Sequence, residues 1–122
     1  MKHGKDDSFK EFVRDQLKDL HGIAFRRMFG GYGIYAGSRF FGILHGGRLY
    51  FKTDAQSRSE YLQRGMDALR TTAKQVLSNY YEVPADILED PEVLIAWAQR
   101  SVAVAGTGGI RQAPASRRLK NR

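Results

Sequence analysis

Between Arg26 and Lys52 the chain reads RRMFGGYGIYAGSRFFGILHGGRLYFK, aromatic and β-branched runs cut at short intervals by glycine. No other feature restricts the fold as strongly. Residues 28–29, 32–36, 39–44 and 48–52 are separated by Gly30-Gly31, Gly37-Ser38 and His45-Gly46-Gly47. Aromatic and β-branched side chains pack best on a pleated surface, and glycine supplies the positive φ that tight hairpin turns need. No run is long enough for a helix. The segment predicts an antiparallel meander.

The flanking sequence predicts helices. Ser8 and Glu11 have capping-box spacing, and Phe9, Phe12, Val13, Leu17 and Leu20 follow as one apolar stripe, with Gly22 placed to end the helix. Residues 23–29 form the first strand. Thr53 and Gln56 repeat the capping-box spacing and open a second helix that runs to Gly65. Residues 68–72 and 75–83 pair as a hairpin about Ala73-Lys74. Asp90-Pro91-Glu92 supplies a cap, a first-turn proline and a first-turn acid for a last helix, which carries Leu94, Ile95, Trp97, Ala98 and Val102 and stops at Gly106. The order is α-β(4)-α-β(2)-α.

Strands joined by short turns are antiparallel, and three helices cover one face of such a sheet. The fold class is therefore two-layer α+β, with one sheet face left open. Alternation puts Leu49 and Phe51 opposite Tyr50 and Lys52, Phe41 and Ile43 opposite Phe40 and Leu44, and Tyr32 opposite Tyr35. Both faces of the meander are thus apolar. A solvated second face alternates more cleanly, so this one is covered by a chain segment or by another subunit.

The 122 residues make one domain, read as a disordered start over 1–7, a folded body over 8–105 and a disordered basic tail over 106–122. No stretch reaches the apolar length of a membrane span, and the opening MKHGKDD is no export signal, so the expected compartment is the cytoplasm and no membrane partner is expected. The chain has no cysteine, which excludes disulfides and thiolate chemistry. Its net charge of +7 is uneven: Arg111, Arg117, Arg118, Lys120 and Arg122 give the tail +5, and residues 1–105 hold the remaining fifteen bases against thirteen acids. Such a tail binds phosphate polymers weakly and without sequence preference, or is simply solvated.

Catalytic patterns are sparse. Gly31-Tyr-Gly33-Ile-Tyr-Ala36 satisfies the G-x-G-x-x-A form of the dinucleotide fingerprint, but its glycines run into another strand, so no helix N-terminus faces a pyrophosphate. The same residues half-match an RNA-binding signature, lacking its leading base at Gly30 and its phenylalanine at Ile34. His3, His21 and His45 are scattered, and no serine sits in a nucleophile elbow. We therefore expect no enzyme, no cofactor and no metal.

Arg26 and Arg27 stand out because neighbours on a strand point to opposite faces. Either one pairs with an acid of the first helix, Asp15 or Asp19, or they contact an anion or partner together with Lys52, Tyr50 and Tyr80. A homodimer through the open face would use Tyr32, Phe41 and Tyr50. Direct nucleic-acid binding through that face and the tail is the alternative.

RRMFGGYGIYAG, GRLYFKTD and YYEVPADILEDPEVLIAWA together resemble the N-terminal domain of the TfoX (Sxy) family of competence regulators, over residues 9–104. The resemblance implies a similar two-layer α+β domain and a non-enzymatic role in transcription. It also implies a protein partner, since family regulators act with the cyclic-AMP receptor protein at promoters of DNA-uptake genes. The full-length regulators carry a second, helical domain where this sequence has its basic segment.

Overall fold

The computed structural model describes residues 2–28, 30–71 and 75–112, with the side chains of 2–6 and 107–112 left out of account. The elements are α1 (Lys2–Gln16), β1 (Ile23–Met28), β2 (Gly31–Ala36), β3 (Arg39–His45), β4 (Arg48–Lys52), α2 (Ala55–Gln63), β5 (Ala68–Arg70), β6 (Val76–Glu82), α3 (Ala85–Leu88) and α4 (Pro91–Gln112). All six strands form one antiparallel sheet in the order β1-β2-β3-β4-β6-β5. The meander is as predicted, and β6 inserts between β4 and β5.

Glycine acts in two different ways along this sheet. Gly30 and Gly37 have φ of 76° and 62° and turn the chain. Gly31 and Gly33 lie within β2, where space is the constraint. A Cβ on Gly31 would overlap the Leu44 carbonyl oxygen, and one on Gly33 would meet the Met28 and Phe40 side chains at 2.6 and 3.0 Å.

Every helix packs on one face. Val13, Leu17, Ile34, Phe41, Leu49, Phe51, Tyr61, Ile87, Leu94, Trp97 and Ala98 form the main core between the two layers. At burial of this extent each large side chain contributes about 1.5–3 kcal/mol relative to exposure. Tyr61 meets Trp97 edge-on, with ring centroids 4.8 Å apart, and the Ser101 hydroxyl donates to the Lys52 carbonyl at 2.8 Å, pinning α4 to β4. A second, smaller cluster of Ile43, Tyr50, Leu69 and Tyr80, flanked by Phe40 and Leu77, occupies the opposite face. Only strands contribute to it.

Several boundaries are corrected. α1 begins at Lys2, so Ser8 and Glu11 lie inside the helix rather than at its start. The Tyr32 hydroxyl donates to Asp7 Oδ1 at 2.9 Å, an anchor that ties this early turn to the sheet. α1 ends at Gln16, and Gly22 instead accepts from the Gly37 amide at 3.0 Å where β1 begins. The cap of α2 is Asp54, not Thr53: its carboxylate accepts from the Ser57 amide while Ser57 Oγ accepts from the Asp54 amide. Thr53 donates its hydroxyl to the Asn79 carbonyl. α3, not predicted, is too short to show periodicity. α4 continues through Gly106 to Gln112: Gly106 does not take the positive φ of a helix-ending glycine, and a Cβ there would overlap the Arg39 guanidinium. Phe29, the turn at Ala73-Lys74, Arg117, Arg118, Lys120 and Arg122 lie outside the described residues, as does the side chain of Arg111.

Candidate partner-binding face

Simple alternation fails in β3, and the failure decides which residues face the helices. The β2–β3 register shifts between Ile34 and Tyr35: Ile34 pairs with Gly42, but Tyr35 pairs with Phe40. Phe41 is the extra residue of a bulge, which changes the phase of the strand. Phe41 and Leu44 therefore enter the main core, while Phe40 and Ile43 lie on the opposite face. Phe41 is fully buried against Phe51, with centroids 5.7 Å apart, and is unavailable to a partner. Tyr32 is likewise on the helical face and buried. Neither belongs to an open-face dimer contact.

The other sequence-predicted residues lie nearer one another. Pairing puts Arg26, Gly33, Ile43, Tyr50 and Glu82 on the open face, and Lys52 pairs with Tyr80 there. Arg26 lies over the Tyr35 ring at 5.1 Å, Tyr35 stacks on Phe40 at 5.0 Å, and Phe40 meets Tyr80 at 5.6 Å. A cation and three rings thus cross the sheet from β1 to β6. At 5–6 Å these are favourable aromatic and cation–π separations. Tyr35 and Phe40 escape the sequence reading as site residues, although placing Tyr35 opposite Tyr32 was the available signal.

Tyr50 and Tyr80 are each only 8% exposed in the single chain. The second face is therefore covered largely by its own side chains, which is the physical reason that two-sided apolarity does not require a second subunit. Burial pushes the Tyr80 phenol up to about 12, with Tyr35 adding to the rise, and burial also raises Tyr50. Beside Tyr50, Arg48 Nη1 donates to Glu82 Oε2 at 2.9 Å, and that hydrogen bond holds the guanidinium pKa above its usual value.

Arg27 projects to the helical side and lies over Tyr32 at 5.1 Å. Neither Arg26 nor Arg27 makes an ion pair among the described residues, so the expected partner Asp15 or Asp19 is replaced by a ring in each case.

A different charged group went unforeseen. Glu60 of α2 pairs with both terminal nitrogens of Arg100 on α4, at 2.6 and 3.2 Å, above Trp97. Hydrogen bonding from Arg100 lowers the Glu60 pKa. The pair borders a cleft with Asp54, Ser57 and Val104. Two residues on separate helices offer no shared sequence spacing that would have revealed it.

Chemically the open face offers the half-buried rings of Tyr35 and Phe40 and the charge of Arg26, while Tyr50 and Tyr80 are nearly as buried as Tyr32 and leave a partner little surface. Among the described residues no three His, Cys, Asp or Glu side chains are grouped to hold a metal ion, and no helix is long and apolar enough to cross a membrane. Compared with known families, residues 15–105 match the model of the TfoX N-terminal domain, a span that reaches from the end of α1 into α4 and takes in all six strands. No curated protein matches the chain.

Proposed function

The chain belongs to the TfoX N-terminal domain family, and on that premise we propose that it is a non-enzymatic regulatory domain that acts on competence-type transcription through a protein partner in the cytoplasm. The match across the whole sheet is the observation that carries this reading. The partner we propose is the transcription machinery, the cyclic-AMP receptor protein in particular. The chemistry of the molecule supports it: a face of rings and arginines suits packing against a protein. The near-balanced charge of the body gives little for a polyanion to hold.

The test is genetic. Deleting the gene in its host lowers transcripts from DNA-uptake promoters that depend on the cyclic-AMP receptor protein, and the wild-type gene restores them. Unchanged transcripts would overturn the reading. Direct nucleic-acid binding is the second reading, favoured by the Arg26–Tyr35–Phe40 stack, in which an arginine and two half-buried rings lie side by side.

A further inference from the structure

An antiparallel sheet has two edges, and here they differ. One is β5, three residues long with an irregular register to β6. The other is β1, six residues in unbroken register with β2. Gly22 accepts from the Gly37 amide, which sets the phase of the β1–β2 ladder. Bonded pairs alternate with non-bonded ones in an antiparallel ladder, so Ala24, Arg26 and Met28 bond inward to β2. Ile23, Phe25 and Arg27 then direct their N–H and C=O groups outward. Among the described residues no backbone group of a turn, loop or cap hydrogen-bonds to them.

Proteins commonly blunt such an edge with charged side chains. The two arginines of β1 do not cover it: Arg26 and Arg27 fold back over Tyr35 and Tyr32, rings of the neighbouring strand. They leave the outward backbone bare and a cation on each face beside it. On the helical side Arg14 lies over Phe25 at 4.8 Å and Lys10 over Tyr32 at 4.9 Å. Glu11 is the acid paired with these two, at 3.5 Å from Arg14 and 3.9 Å from Lys10. Asp7, which accepts from the Tyr32 hydroxyl, is a second acid on this side, so Arg27, Arg14 and Lys10 stand against two acids there and Arg26 lies on the open side, leaving a positive excess on both faces.

That charge selects the occupant. A second copy pairing along β1 would bring arginines of both copies together, and like charges facing one another across strands are destabilising. A strand with two adjacent acids places one carboxylate on each face, against Arg26 and Arg27. We propose that the edge of β1 binds an extended acidic segment of a partner protein, which joins the sheet as an added strand. The inference rests on the reading of the chain as a domain that works through a protein partner, and names where that partner docks. Main-chain hydrogen bonds to Ile23, Phe25 and Arg27 supply affinity, and the arginines supply the preference for acids.

The experiment is a titration of the isotopically labelled full chain, followed by amide chemical shifts, with the peptides acetyl-TVEEVT-amide and acetyl-TVKKVT-amide at low ionic strength. The acidic peptide should give saturable shifts centred on the amides of Ile23, Phe25 and Arg27. The basic peptide should bind about tenfold more weakly, the difference expected when two cross-strand charge pairs change sign. The double variant R26E/R27E should reverse the preference; both side chains are exposed, so the fold survives. Shifts of equal size with both peptides, no saturable shift in β1, or a concentration-dependent shift of β1 without peptide, which would mean that a second copy occupies it, would each overturn the proposal. Failure of the titration beside a fall in competence transcripts removes the edge site and leaves the regulatory reading. Success beside unchanged transcripts does the reverse.

Discussion

Gly31→Ala and Gly37→Ala change the same residue type within one meander and should differ several-fold in cost. A Cβ at position 31 overlaps the Leu44 carbonyl oxygen and comes within 3.0 Å of its carbon and 3.3 Å of the His45 Cα, all backbone atoms of β3. No rotamer change relieves that contact, so β2 and β3 must part locally. Overpacking of this kind costs about 1–3 kcal/mol. Losing one or two ladder hydrogen bonds adds about 1 kcal/mol each. The total is about 3–4 kcal/mol, which at this chain length lowers Tm by roughly 12–25 °C. At Gly37 a Cβ meets nothing within 4 Å, and the cost is only the positive φ of 62°, about 1 kcal/mol. Asparagine tolerates that conformation, so Gly37→Asn should recover most of the loss while Gly31→Asn recovers none. Chemical denaturation of the four variants measures this directly. If Gly31→Ala costs no more than Gly37→Ala, the close approach of β2 to β3 is wrong.

Phe41→Ala should destabilise by about 3–5 kcal/mol, the cost of emptying a fully buried aromatic site, measured by urea unfolding; a cost under 1 kcal/mol would return Phe41 to the surface. Tyr80 should ionise near pH 12, so Tyr80→Phe removes a late step from the ultraviolet titration of the folded protein. Because its folded pKa lies above the ordinary value of about 10, Tyr80 contributes stability that is complete below that pH and is lost as pH rises toward 12. Glu60 has the opposite sign. Its pKa is lowered by Arg100, so its contribution is complete above the ordinary carboxylate value and is lost as pH falls through the lower folded one. Unfolding of Glu60→Gln should therefore differ most from wild type at neutral pH and converge with it in acid.

The meander was legible because glycine and aromatic residues act locally: Gly30 and Gly37 state the turns, and the runs between them state the strands. Capping signatures were less decisive. Thr53/Gln56 and Asp54/Ser57 overlap with the same spacing, and only the Asn79 carbonyl, supplied by a distant strand, removes Thr53 from the cap. The position of β6 between β4 and β5 depends on pairing across the chain, for example Tyr50 with Glu82, which no local pattern encodes. For the candidate face, alternation puts Tyr50 and Lys52 on one side of β4, whereas only the pairing across strands brings Arg26 and Tyr80 to that side and sends Arg27 to the other. Phe41 was misplaced by the bulge, and Tyr32 by the unknown side on which the helices would pack.

The central claim, regulation through a protein rather than by reading DNA, is tested most directly by fluorescence anisotropy of a labelled DNA-uptake promoter fragment. The chain would be titrated alone and with the cyclic-AMP receptor protein, with and without residues 113–122, a truncation that leaves α4 whole. The account predicts that the chain tightens binding of the receptor protein, and that any binding by the chain alone is weak, salt-sensitive and lost with the truncated residues. Sequence-selective binding by the truncated chain in the absence of the receptor protein would contradict it.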